Sequence, residues 1–157
     1  MAARRSLALT FRAPMVLMMK FLQLNFLPRS ADAALLLLRV WYGVSIFALF
    51  GLVKVKNFSA MARQFPDPLG LGSTPSFMLV VFAEAVCGPL LVLGLFTRVA
   101  ALVTGFAMGV AFWMAHGAKL MGEGNGLPAF LYLGAFATLF IAGGGKFSLD
   151  AKMGAKA

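Results

Sequence analysis

Acidic residues are scarce: five Asp and Glu stand against fourteen Lys and Arg in 157 residues, and charged residues make up only 12% of the chain. A soluble domain carries about 25%. With 61% of residues hydrophobic, too little polar side chain remains to cover a water-facing surface, which excludes an ordinary soluble globular fold. The one cysteine, Cys87, rules out an internal disulfide and a Cys cluster for zinc or iron–sulfur, and within an apolar block it reads as a small buried hydrophobe. The one histidine, His116, likewise rules out a multi-His metal or haem site within a single chain, so no metal is expected. No nucleophile elbow, phosphate loop or dinucleotide glycine pattern occurs. The GEGNG run at Gly122 to Gly126 has the glycines without a strand-to-helix context. Self-contained hydrolase or dehydrogenase chemistry is therefore not expected.

What the chain has is length of apolar sequence. About 20 residues cross the ~30 Å hydrocarbon layer, and four blocks approach that length: Asp32 to Val53, Ser76 to Phe96, Val99 to Ala115 and Leu127 to Ala142. The first ends at Lys54 and Lys56. A connection from Asn57 to Thr74 follows, where Pro66, Pro68 and Pro75 oppose a continuing helix. Pro89 predicts a kink in the second block, of a kind neighbouring helices make tolerable. Thr97 and Arg98 make a very short turn, so the second and third helices form an antiparallel hairpin. Pro128 suits the first turn of the fourth helix, and the run Gly143 to Gly145 stops it. The expectation is an all-α membrane protein, a four-helix transmembrane bundle with a short second-to-third turn. Its domain spans residues 32–150, between a basic amino-terminal arm (1–31) and a basic tail (151–157).

The net charge of +9 flanks the apolar blocks rather than forming one stripe, so lipid head groups, not nucleic acid, are the expected partner. Nine basic residues lie in the arm, at Arg98 and in the tail, against Lys54, Lys56, Arg63 and Lys119 opposite. Both termini are thus expected in the cytoplasm, in a multi-pass protein of the bacterial inner membrane. Within the arm, Met1 to Pro28 shows no signal-peptide core. It reads either as an interfacial amphipathic segment or as partly upstream of a start at Met19.

Two charges sit at membrane depth, Arg39 and Glu84, where each costs roughly 2.5–3.5 kcal/mol and calls for a partner inside the bundle. Counting from the helix ends places them about 9 and 18 Å from the cytoplasmic edge, a gap much of which an arginine spans. An Arg39–Glu84 pair is the expectation, with Lys54 and His116 as competing partners for Glu84. A register-fixing ion pair and a proton-handling or head-group-binding carboxylate remain alternative roles. Small residues at helix-packing spacing, Ala101, Gly105 and Gly109 in the third block and Gly43 and Gly51 in the first, read as bundle interior.

The order of LLLLRVWYGVSIFALFGLVK (Leu35 to Lys54), FPDPLGLGS (Phe65 to Ser73), VFAEAVCGPLLVLGLFTRVAAL (Val81 to Leu102), LPAFLYLGAF (Leu127 to Phe136) and GGGKFSLD (Gly143 to Asp150) resembles the DoxX family of small bacterial and archaeal membrane proteins. Arg39, Glu84, Gly51, the Thr97-Arg98 turn, Ser148 and Asp150 carry the match. The chain departs from the family pattern in having Phe50, not histidine, before Gly51 and Lys54. It also has Leu127 where many members carry a glutamate, with Glu123 four residues earlier. The resemblance implies a small membrane subunit linked to a quinone-dependent thiosulfate oxidoreductase or a terminal oxidase. For mycobacterial relatives it implies complexes with a superoxide dismutase and a sulfurtransferase. The leading expectation is an accessory or anchoring subunit of a redox or thiol-stress complex, with protein partners and a homo-oligomer as its assembly states. The alternatives are a quinone-coupled component, in which Glu84 relays protons and Arg39 positions a quinone oxygen, and a small-solute transporter.

Overall fold

The computed structural model describes Met18, residues 22–24 and residues 29–154. The expectations for the amino-terminal arm, including a start at Met19, lie outside the described residues apart from that short stretch. Among the described residues there is no strand. The chain divides into two units, and the second, Ala31–Ala157, carries the helices that follow.

Among the described residues three helices are long and apolar enough to cross a membrane: α1 (Ala31–Lys56, 26 residues), α3 (Ser73–Leu93, 21 residues) and α4 (Thr97–Ala115, 19 residues). A fourth apolar helix, α5 (Leu127–Ala142), has 16 residues, or about 24 Å at 1.5 Å per residue. Short helices α2 (Phe58–Met61) and α6 (Leu149–Lys152) lie in the connection after α1 and in the tail. The outward faces carry Leu37, Trp41, Leu49, Val99, Phe106 and Ile141, all well exposed, as lipid contact requires.

Boundaries differ from expectation where prolines and glycines act locally. Pro75 lies inside α3, in its first turn, where a missing N–H costs nothing, so the helix begins at Ser73. The α3–α4 turn is Gly94 to Phe96, and Thr97 and Arg98 already belong to α4. Gly94 takes a left-handed conformation (φ 69°), with Gly94 N–H donating to Leu91 O and Leu95 N–H to Leu90 O, which closes α3 with a Schellman motif.

Each spanning-length helix contains a π turn: Phe47–Gly51 in α1, Phe82–Val86 in α3 and Ala111–Ala115 in α4. In α3 this turn stands where a proline kink was expected, just before Pro89, whose ring removes the N–H that would bond Ala85 O. Adding one residue to a turn re-aims the side chains within it.

The helices meet chiefly as α1 on α3 and α4 on α5. The α1–α3 crossing is made by glycine. A Cβ at Gly43 would lie 2.8 Å from Val92 Cγ2 and 2.9 Å from Gly88 O, and one at Gly51 would lie 3.0 Å from the Ala85 backbone. On α4, Ala101 and Gly105 are buried as expected and Gly109 is half-buried, but the approach there is looser. A Cβ at Gly105 would meet Phe136 at an ordinary 3.6 Å, and one at Gly109 would meet only Trp113 of its own helix at 3.7 Å. Side chains, Phe136 of α5 and Trp113 of α4, rather than a neighbouring backbone stand nearest these two glycines. The core is Ile46, Leu91, Phe136 and Leu139, all fully buried, beside an edge-to-face cluster of Tyr42, Phe50 and Tyr132.

Candidate functional site: a buried ion pair in an apolar cavity

The close approach at Gly51 sets α1 against the π turn of α3, and Lys54, about one turn further on, reaches inward. Its Nζ donates to both oxygens of Glu84, at 2.9 and 2.6 Å, and lies 5.4 Å from the Phe50 ring centre. The side chains are 14% and 4% exposed, so both charges have left water and each compensates the other.

Arg39 does not take part. It is fully buried about 10 Å further along α3, taking that distance from the seven residues that separate Glu84 from Leu91. Its Nη2 donates to Phe147 O at 3.0 Å, and Nη1 makes a long contact of 3.5 Å with Leu91 O. The expected Arg39–Glu84 pair is therefore replaced by two separate arrangements. Axial counting placed the charges within reach, but Arg39 turns toward the Phe147 carbonyl of the tail and the Leu91 carbonyl at the end of α3.

The Arg39 end is a structural knot. Asp150 accepts from the N–H groups of Phe96 (2.7 Å) and Thr97 (2.8 Å), capping α4 from 53 residues away. Phe96 there holds φ 50°, an uncommon conformation for a residue with a side chain. Partial burial works against the Asp150 carboxylate, but hydrogen bonds from Thr97 and Phe96 and the Arg39 charge outweigh it and hold its pKa below the usual aspartate value. Ser148 caps α6 through Ala151 N–H, and Asp32, at the start of α1, accepts from Lys146 N–H at 2.9 Å. Arg98 donates to Ile141 O on the outside. Ser148, Asp150, Thr97 and Arg98 thus hold the chain together at this end.

At the other end a cavity of about 770 Å³ opens around the ion pair. Its walls are apolar side chains of α3, α4 and α5, and all three π turns contribute to its lining through Phe50, Glu84 and Ala111. The polar groups facing it are Lys54, Glu84, Ser76, His116, Asn125 and Tyr132. His116 therefore reaches the cavity, though Lys54 is the partner of Glu84. Tyr132 donates to Ser45 Oγ at 2.8 Å, which ties α5 to α1. Phe65, Pro66, Pro68 and Leu69 partly cover the cavity from the connection. That cover is held by Asp67, which accepts from Ser76 Oγ (2.7 Å), Leu71 N–H (2.9 Å) and Gly72 N–H (2.7 Å). These bonds, that from Ser76 foremost, hold the Asp67 pKa below its usual value.

Sequence reasoning assigned no role to Asp67, Ser76 or Tyr132. Asp67 had a local signal, an acid between prolines ahead of two glycines, which is the chemistry of a side-chain-closed turn. Tyr132 had none.

Apolar helices of membrane-crossing length, lipid-compatible on the outside and folded around a desolvated ion pair, define an integral membrane protein. The model of the DoxX family matches residues 34–117, a little over half of the chain, and the chain belongs to the DoxX family. The match contains Arg39, Lys54, Glu84, Thr97 and His116, and ends before α5 and the tail. Comparisons with curated proteins and with solved structures returned no match.

Proposed function

We propose that this protein is an accessory membrane subunit of a redox complex, and that its cavity docks the head of a quinone-type carrier against Lys54 and Glu84. One observation carries the reading: a donor cation and an acceptor anion, hydrogen-bonded to each other, stand at the polar end of an otherwise apolar cavity of about 770 Å³. That volume lies within the ~300–1,000 Å³ range of small-molecule sites. Lys54 suits a ring carbonyl as donor and Glu84 suits a ring hydroxyl as acceptor, so the pair matches both the oxidised and the reduced head. The bound carrier supplies the two-electron chemistry, while this chain orients the ring, keeps water away and holds a proton at Glu84. Arg39, bonded in the knot, has no place in this role.

With α5 as a fourth crossing, the start of α1 and the end of α5 lie on one side of the membrane. The excess of basic residues at the Arg39 end supports a cytoplasmic assignment in a bacterial inner membrane. Reporter fusions after Asp150 and at Asn57 should then report cytoplasm and periplasm respectively. A periplasmic carboxyl terminus would remove this topology.

The functional test is photolabelling of the protein in nanodiscs with an azido-quinone, mapped by mass spectrometry. Label should fall on cavity-lining peptides of α3 and α4 and drop at least tenfold in Glu84→Gln. Label spread over the lipid-facing surface, unchanged in that variant, would overturn the reading.

A further inference from the structure

The cavity has two boundaries of opposite character. On the side of the connecting loops it is partly covered: Phe65 and Pro68 line it there, and Asp67 fastens that segment to α3 through Ser76 and to its own turn through Leu71 and Gly72. Between α3 and α4 it is open. The two helices are tied at Gly94 to Phe96, where the Schellman motif and the Asp150 cap fix the turn. They pack closely over Cys87–Leu93, less over Phe82–Val86, and diverge beyond. Leu79 and Phe82 on α3 and Leu102 and Phe106 on α4 line the cavity, yet each is about half exposed or more. A side chain that both lines a cavity and faces outward marks a mouth: Pro66, Leu69 and Asn125 mark one toward the loops, and these four mark a second whose border is wholly apolar. In the bilayer, that second mouth faces lipid.

Resting on the ligand site proposed above, we infer that the cavity is loaded sideways from the membrane. Its ligand is a long-tailed amphiphile whose compact polar head lies at Lys54–Glu84 and whose tail leaves through the opening between α3 and α4. The polar pole fits a head of a few heteroatoms, because the remaining wall is apolar except for Ser76, His116, Asn125 and Tyr132. The mouth fits an alkyl or isoprenoid chain, because only apolar side chains border it. A water-borne ligand has to pass a loop pinned by three hydrogen bonds to one carboxylate, whereas a lipid-borne one meets side chains that carry no polar partner.

The experiment uses the full chain in nanodiscs and three probes: a decyl-tailed benzoquinone, the same ring without a tail, and a decyl-tailed phenol, with affinities corrected for partition into lipid. Sideways loading predicts that the tail improves corrected affinity at least tenfold. It also predicts that Leu79→Trp with Leu102→Trp slows association of the tailed quinone at least tenfold, and that Asp67→Ala leaves its rate within twofold. Should the tryptophan variant not fold, Leu79→Ala with Leu102→Ala is expected to speed association instead. A tailless quinone that binds as tightly, together with faster association in Asp67→Ala, would overturn the route while leaving the quinone reading intact. A tailed phenol that binds as well as the tailed quinone, with the same dependence on Leu79 and Leu102, would uphold the route and remove the quinone reading.

Discussion

The replacement of one expected ion pair by another can be measured directly. In Glu84→Gln the Lys54 ammonium keeps its burial and loses both hydrogen-bonded oxygens, and in Lys54→Met the Glu84 carboxylate, 4% exposed, loses its counter-charge. Stranding one member of a buried pair costs about 3–5 kcal/mol, whereas replacing both members with apolar or neutral groups of similar volume is often close to neutral. A double-mutant cycle should therefore return a coupling of at least about 3 kcal/mol, an effect of roughly 100-fold or more on the unfolding equilibrium. A parallel cycle between Arg39→Leu and Glu84→Gln should be additive to about 0.5 kcal/mol, because Arg39 spends its hydrogen bonds on Phe147 and Leu91. Unfolding by SDS in mixed micelles, followed by far-UV circular dichroism, reads both cycles in one assay. A Lys54–Glu84 coupling below about 0.5 kcal/mol, or an Arg39–Glu84 coupling above about 1 kcal/mol, would refute the arrangement.

Gly43→Ala should destabilise by about 1–3 kcal/mol, since its Cβ meets the immovable Gly88 carbonyl, whereas Gly109→Ala should be neutral or gain about 0.5–1 kcal/mol; equal effects in the same micelle assay would show that the α1–α3 crossing is not the tight one. Asp150→Ala should cost about 1–2 kcal/mol through loss of the α4 cap, and hydrogen exchange should rise at Phe96 and Thr97 before it rises in α5; unchanged exchange there would exclude the cap. The lowered Asp67 pKa means that its ionised form favours the closed loop. That contribution is complete above the ordinary value of 3.8 and is lost as pH falls through the lower folded value, so exchange at Leu71 and Gly72 should stay slow from neutral pH down to that point and quicken only in stronger acid. Loss of protection already near pH 6 would contradict this.

The four apolar blocks were legible because length and composition alone separate membrane-crossing sequence from its connections. Leu127–Ala142 appears with the boundaries its flanking Pro128 and triple glycine imply. The π turns were not legible, because widening one turn changes neither composition nor hydrophobic period. Their effect is rotational, and rotation decides partners: depth put Arg39 within reach of Glu84, but side-chain direction sent it to Phe147. The small residues on α4 were legible as interior at Ala101 and Gly105, both buried, though not in what packs against them. Spacing reveals a flat face without revealing what lies on it, and Phe136 turned out to stand on the one beside Gly105. Of the cavity, Lys54, Glu84 and His116 were visible as polar residues in apolar surroundings. Tyr132 and the Asp67 fastening depend on contacts across the fold that no local pattern encodes.

The bond from Arg39 to Phe147 joins residues 108 positions apart. At about 5–20 residues per second, a ribosome takes roughly 5 to 20 s to synthesise the interval. Throughout that time α1 must enter the membrane with an arginine whose carbonyl partner has not been made. Insertion of α1 is therefore provisional until translation is nearly complete, and the cation must be sheltered meanwhile by water, lipid head groups or the insertion machinery. A chain stopped at Gly143 would retain every apolar helix and still carry an uncompensated charge where membrane proteases and chaperones could find it. The tail thus completes the burial of a cation that the first helix carries into the membrane long before it.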